Sequence, residues 1–108
     1  MAYTPKRGDV VWLNFNPQAG HEQAGHRPAL ILSPKAYNQK TGLAICCPIT
    51  SQVKKYPFEV SIPPNLPAQG VILADQVKNL DWHSRKASRF CVVPDQTVQE
   101  VLQKLNLL

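Results

Sequence analysis

Prolines and glycines punctuate this chain so closely that few long helices can form. Ten prolines and five glycines fall within 108 residues, and the apolar runs left between them have the length of β-strands rather than of helices. Ala29 to Leu32 is the clearest case: a short aliphatic run with Pro28 on one side and Ser33-Pro34 on the other. Immediately before it lies a polar loop carrying His21, Glu22, Gln23, His26 and Arg27. The sequence thus places polar, chemically capable side chains beside a rigid element, with Arg27 at the hinge between them.

Read in order, the chain is one strand after another. Lys6 to Asp9 forms a turn that opens onto Val10 to Phe15, and Asn16 to Gly20 closes that run and begins the long loop. Ala29 to Ser33 is the second predicted strand. Pro34 to Gly42 is a connector with one helical turn around Ala36 to Asn38, and Leu43 to Ile49 is the third strand. In Phe58 to Ile62, Phe58, Val60 and Ile62 alternate with Glu59 and Ser61, as a half-buried strand requires. Val71 to Val77 and Phe90 to Val93 complete the strands. Helical periodicity appears only after Pro94, where Val98, Val101, Leu102 and Leu105 share one stripe. Pro94 suits the first helical position, Asp95 the positive end of the dipole, and Glu100 with Lys104 an i,i+4 pair. The expected architecture is mainly β: a small, partly open β-barrel with a C-terminal helix, one domain over residues 1–108. A chain this short buries a modest share of its surface, and a homodimer would help it.

Several classes are set aside by composition. No apolar run approaches the roughly 20 residues of a membrane span, and the N-terminal MAYTPKRGD has no signal-peptide core, so a soluble cytoplasmic protein with no membrane association is expected. Cys46 and Cys47 are adjacent on a predicted strand and point to opposite faces, while Cys91 is distant; buried, unreactive thiols are expected. In HEQAGH the histidines are five apart, and Gly20, Gly25 and Pro28 oppose the helix that an H-E-x-x-H zinc site needs. No metal or other cofactor is called for. Carboxylates are too scarce for a two-carboxylate or two-metal mechanism.

Charge is distributed unevenly. The net charge is +5, and between Gln23 and Phe58 there are Arg27, Lys35, Lys40, Lys54 and Lys55 with no acidic residue before Glu59. A second basic stretch, Lys78 with Arg85, Lys86 and Arg89, is opposed only by Asp81. Such asymmetry suits a polyanionic partner. An Arg, a His, a hydroxyl and a Glu on a basic surface suit RNA cleavage without metal, because RNA carries its own nucleophile in the 2′-hydroxyl. Arg27 can fork onto two phosphate oxygens, Thr50 can donate its hydroxyl to the same phosphate, His26 can move a proton near neutral pH, and Glu22 can orient a base or act as one. Each of these residues also has an ordinary reading: a surface cation, a strand-end hydroxyl, a solvated loop side chain.

GDVVWLNFNP (Gly8 to Pro17), EQAGHRPALILSP (Glu22 to Pro34), Tyr37 to Gly42, CPITSQVKKYPFEV (Cys47 to Val60) and LADQVKNLDW (Leu73 to Trp82) together resemble the MazF/PemK family of toxin endoribonucleases of type II toxin-antitoxin systems, in its MazF branch. The resemblance covers nearly the whole chain. It implies an SH3-like barrel, a homodimer, and sequence-specific, metal-independent cleavage of single-stranded mRNA to a 2′,3′-cyclic phosphate and a 5′-hydroxyl, which stops translation. It implies catalytic roles for Arg27 and Thr50, with Glu22 and His26 in the active site and Gln76 beside it. The PemK branch carries an Arg two residues before the Asp of its ADQ segment; Leu73 stands there here, so Asp75 is read as structural. Lys54, Lys55 and Lys78 are expected to contact RNA, with Tyr56, Phe58 or Trp82 as stacking partners. The resemblance further implies a cognate antitoxin whose acidic C-terminal segment lies over the RNA groove, the loop from Pro17 to Gly25 opening to one partner or being ordered by the other. Two alternatives differ in class. A gyrase-poisoning toxin with the same barrel would need no Arg27/Thr50 pair, and a non-catalytic nucleic-acid-binding barrel would lose affinity and activity together when Arg27 is removed.

Overall fold

The protein is described by a computed structural model covering residues 3–16, 20 and 25–108. His21, Glu22 and Gln23, with the greater part of the Pro17 to Gly25 loop, lie outside the described residues. Seven strands, β1 (Asp9–Asn14), β2 (His26–Ile31), β3 (Leu43–Thr50), β4 (Glu59–Ser61), β5 (Val71–Leu73), β6 (Lys78–Asp81) and β7 (Ser88–Val92), are accompanied by helices α1 (Lys35–Thr41) and α2 (Asp95–Leu105). The strands pair antiparallel in the order β4-β5-β3-β2-β1-β7, and β6 adds to β3. The long β3 turns the sheet, pairing with β2 and β6 along its first part and with β5 at its end. The result is a partly open, mainly β barrel with a C-terminal helix.

The central strands are continuous apolar runs because both of their faces are covered. Val10, Leu30, Cys47 and Ile49 face an interior shared with Val60, Ile72, Val98 and Val101, while Val11, Leu13, Phe15, Ala29, Ile31 and Cys46 face a second cluster closed by Tyr3, Leu80 and Trp82. Cys46 and Cys47 therefore do point to opposite faces. Burial pushes the Cys46 thiol up to about 12 and raises that of Cys47 as well. α2 lays Val98 and Val101 against the interior, starting one residue after Pro94, which stands at the cap position.

Four local expectations change. The helical turn after Pro34 is a full helix, Lys35–Thr41, closed by Gly42 in the left-handed conformation and anchored by buried Asn38, whose Nδ2 donates to the carbonyls of Pro5 (2.8 Å) and Ser33 (3.1 Å). The predicted strand Val71 to Val77 stops at Leu73 and continues as a 3₁₀ turn, Ala74–Gln76, because Asp75 and Gln76 bring no apolar face to continue the ladder. Lys78–Asp81, missed in the sequence, is a strand whose only apolar side chain, Leu80, meets the second cluster. Arg27 is no hinge either: it lies inside β2, paired with Leu13.

β7 carries the irregularity that matters most for the site. Cys91 stands opposite Val10 and Arg89 opposite Val11, so Phe90 is an extra residue, bulged out of the ladder. Plain alternation would send Phe90 and Cys91 to opposite faces, yet both pack against the interior cluster.

Candidate active site

Pairing between β2 and β3 ends at Ala29 and Pro48. Beyond that point β2 still holds Arg27 and His26 against β1, while Ile49 and Thr50 of β3 turn to pair with Ile72 and Val71 of β5. Between the two strand ends lies a pocket of about 450 Å³ lined in part by His26, Arg27, Thr50, Ser51 and Gln52. Its charged groups come from Arg27 and, when protonated, His26; among the described residues no carboxylate lines it. A site so composed favours an anion.

Thr50 is nine-tenths buried, and its Oγ1 accepts a hydrogen bond from the backbone N–H of Gln52 at 3.1 Å. A hydroxyl that accepts in this way keeps its own hydrogen to donate elsewhere. The backbone turn after β3 thus fixes Thr50 as a donor at the pocket wall. His26 is exposed at the end of β2, but its ring is stacked on Trp12, with centroids 5.4 Å apart and planes 13° from parallel. Trp12 in turn meets Phe90 at 5.0 Å and 32°. The imidazole is thereby held in one plane at the pocket edge.

The base of the loop that carries Glu22 is closed by backbone and side-chain bonds. Phe15 N–H donates to the carbonyl of Gly25 (2.9 Å), Gly25 N–H to Asn16 Oδ1 (3.0 Å), and Arg85 Nη1 to the carbonyls of Asn14 (3.0 Å) and Asn16 (2.9 Å). Glu22 itself lies outside the described residues.

The remaining sequence candidates fall outside this pocket. Lys54, Lys55 and Tyr56 form an exposed loop between β3 and β4, with Lys54 N–H bonded to Glu59 Oε2 at 3.1 Å and Tyr56 tilted on Phe58. Gln76 lies on the 3₁₀ turn and Lys78 opposite Cys46 on β6. Trp82 closes the second cluster and donates from Nε1 to the carbonyl of Asn38 at 3.0 Å. Trp12, Phe90, Gln52 and Gln69 line the pocket but escaped the sequence reading. Trp12 was hidden in a run that reads as core, and it shares a face with buried Val10, opposite to the face of Val11 and Leu13. Phe90 is displaced by a bulge that no local pattern announces. Among the described residues, no group of three or more His, Cys, Asp or Glu could hold a metal ion, and no helix is long and apolar enough to cross a membrane.

Compared with known proteins, residues 6–108 match the family described as the PemK-like, MazF-like toxin of type II toxin-antitoxin systems. The chain is 47% identical over 106 residues to the endoribonuclease toxin MazF of Escherichia coli K12, covering 98% of this chain and 95% of that protein. It is 35% identical to the endoribonuclease PemK of Escherichia coli, covering 95% and 80%. The crystal structure of MazF from Deinococcus radiodurans superimposes with a TM-score of 0.95 at 54% identity, covering 98% of this chain and 96% of that one. A MazE-MazF complex from the same organism gives 0.89, with the same coverage. With the family pattern running over nearly its whole length, the chain belongs to the PemK-like, MazF-like toxin family of type II toxin-antitoxin systems.

Proposed function

We propose that this chain is a sequence-specific endoribonuclease toxin that cuts single-stranded mRNA through the pocket between β2 and β3, and that Arg27, Thr50 and His26, with Glu22 from the adjoining loop, do the chemistry. The observation that carries the assignment of residues is the convergence of Arg27, His26 and Thr50, from two different strands, on one pocket. The 2′-hydroxyl attacks the adjacent phosphorus and the bond to the 5′-oxygen breaks, leaving a 2′,3′-cyclic phosphate and a 5′-hydroxyl. Arg27 pairs with the non-bridging oxygens as charge gathers there, and Thr50 donates its hydroxyl to one of them. Of the two proton-carrying groups, His26 and Glu22, one takes the proton from the 2′-hydroxyl and the other returns one to the leaving oxygen. The chemistry needs no cofactor.

The exposed Lys54, Lys55 and Tyr56, with Lys78, Gln76 and Trp82, extend the RNA track beyond the pocket. In this reading the protein is a single-domain homodimer working in the cytoplasm, and a cognate antitoxin lays an acidic segment across the same basic surface. The MazE-MazF complexes of relatives support that pairing. The test is incubation of the purified protein with a long single-stranded RNA in EDTA, with end mapping and Arg27→Ala as control. Discrete cuts with cyclic phosphate and 5′-hydroxyl ends, absent in the variant, are expected; intact RNA from a folded sample would overturn the reading.

A further inference from the structure

The rings at the pocket form a row in the order His26, Trp12, Phe90, since Trp12 contacts both of the others. Phe90 ends the row. It occupies the bulge of β7, packs one part of its surface on the interior cluster, and lines the pocket that Arg27 and Thr50 share. A bulge next to a site is a means of re-aiming one side chain, at the cost of a ladder position. Here it turns an apolar ring toward a cavity whose other groups suit an anion. A purely phosphate-binding site has no use for that ring. From the opposite bank, the exposed Gln52 and Gln69 bring amides, each able to donate and accept. An apolar face, two amides and a cation within one cavity of about 450 Å³ match the parts of a nucleotide.

We propose that Phe90 is a specificity-determining residue: one of the two nucleobases flanking the cleaved phosphate stacks on its ring, held in place by Trp12 behind it, and presents its edge to Gln52 and Gln69. Stacking tolerates any base but requires one, and the amides then favour some edges over others. The inference rests on the endoribonuclease reading above and adds to it the seat of a base.

The test uses a short single-stranded RNA spanning one mapped cut, with each flanking nucleoside replaced in turn by an abasic ribose. For the unsubstituted protein, one of the two abasic substrates is expected to lose about five- to a hundredfold in kcat/KM. Phe90→Leu keeps the apolar volume that the fold needs but has no π face. It is expected to lose a similar factor on the intact RNA and to show no further loss on that abasic substrate, while Phe90→Tyr restores the dependence. Gln69→Ala should change which base is preferred at that position and leave the cut phosphate the same. If Phe90→Leu and Phe90→Ala, both folded, cut with undiminished dependence on each flanking base, the subsite is refuted while the nuclease stands. Normal cutting by a Phe90→Leu protein that an antitoxin no longer silences would refute it too, and give the ring to the antitoxin. If the unsubstituted protein cuts no RNA at all, it is the nuclease reading that fails.

Discussion

Gly70 presses against the backbone of Thr50: a Cβ at position 70 would lie 2.1 Å from the Thr50 carbonyl oxygen and 2.9 Å from Cα of Ser51. The backbone there also has φ +108°, a conformation that side chains oppose. Gly70→Ala must therefore move main chain rather than a flexible side chain. Thermal or urea unfolding should show a loss of about 2 kcal/mol or more. An unchanged midpoint would mean that the close approach of Gly70 to the end of β3 is softer than its geometry implies.

Arg27→Ala should lower the single-turnover cleavage rate at least about a hundredfold, the scale on which one preorganised charge or donor acts in a transition state. RNA affinity, measured by anisotropy on an uncleavable 2′-deoxy substrate, should fall far less. Arg27→Lys keeps the charge but loses the fork and should recover only part of the rate. Rate and affinity falling in step would indicate a binding protein.

Thr50 separates into two functions, its acceptance from Gln52 N–H and its donation into the pocket. Thr50→Ser retains both and should cut within about tenfold of the parent. Thr50→Val keeps the shape, leaves the Gln52 N–H unpaired, and removes the donor. It should lose about a hundredfold or more in rate, with about 1–3 kcal/mol of stability.

High pH should unfold the protein through its buried thiols. Cys46 is raised from 9.0 to about 12, Cys47 is raised as well, and both shifts come first from burial. A folded-state value above the unfolded one means stability that is whole below about pH 9 and is lost as pH climbs toward 12. Tyr3, raised by burial and by its hydrogen bond to Asp9, acts in the same direction. Denaturation midpoints should be level with respect to these groups up to pH 9 and then fall. Iodoacetamide at pH 8 should leave Cys46 and Cys47 unmodified until denaturant is added.

Lys86 sits at φ 57° in the turn after Asp81, whose carboxylate accepts from the N–H groups of His83 and Ser84 and is held below its usual range chiefly by the Ser84 bond. A side chain there costs about 1 kcal/mol relative to glycine. Lys86→Gly should raise the unfolding midpoint by a few degrees, part of the gain being offset by the freer unfolded chain.

The sequence carried the framework well, because apolar runs bounded by Pro and Gly have few ways to pair. β1, β2, β3, β4 and β7, with α2, all lie where the runs place them, with ends shifted by no more than three residues. β6 was illegible for a physical reason: one apolar residue, Leu80, gives no period to detect. The catalytic candidates were legible only in part. Arg27, His26 and Thr50 meet at one pocket, but their meeting depends on where β2 and β3 cease to pair, a long-range property. Trp12 was legible as a strand residue on the face of Val10 but not as a pocket residue, because β1 buries Val10 on that face as well as Val11 and Leu13 on the other. Phe90 was not legible as one either, because alternation itself fails there.

That failure makes the spacing of residues, as well as their identity, part of what the pocket recognises. Deleting Phe90 would let Cys91 and Arg89 pair in plain alternation with Val10 and Val11 and take the ring from the cavity, with β2 and β3 untouched. Toxins of this architecture could then diverge in the RNA they prefer through a one-codon insertion or loss on an outer strand, a route that comparisons of substituted positions would overlook.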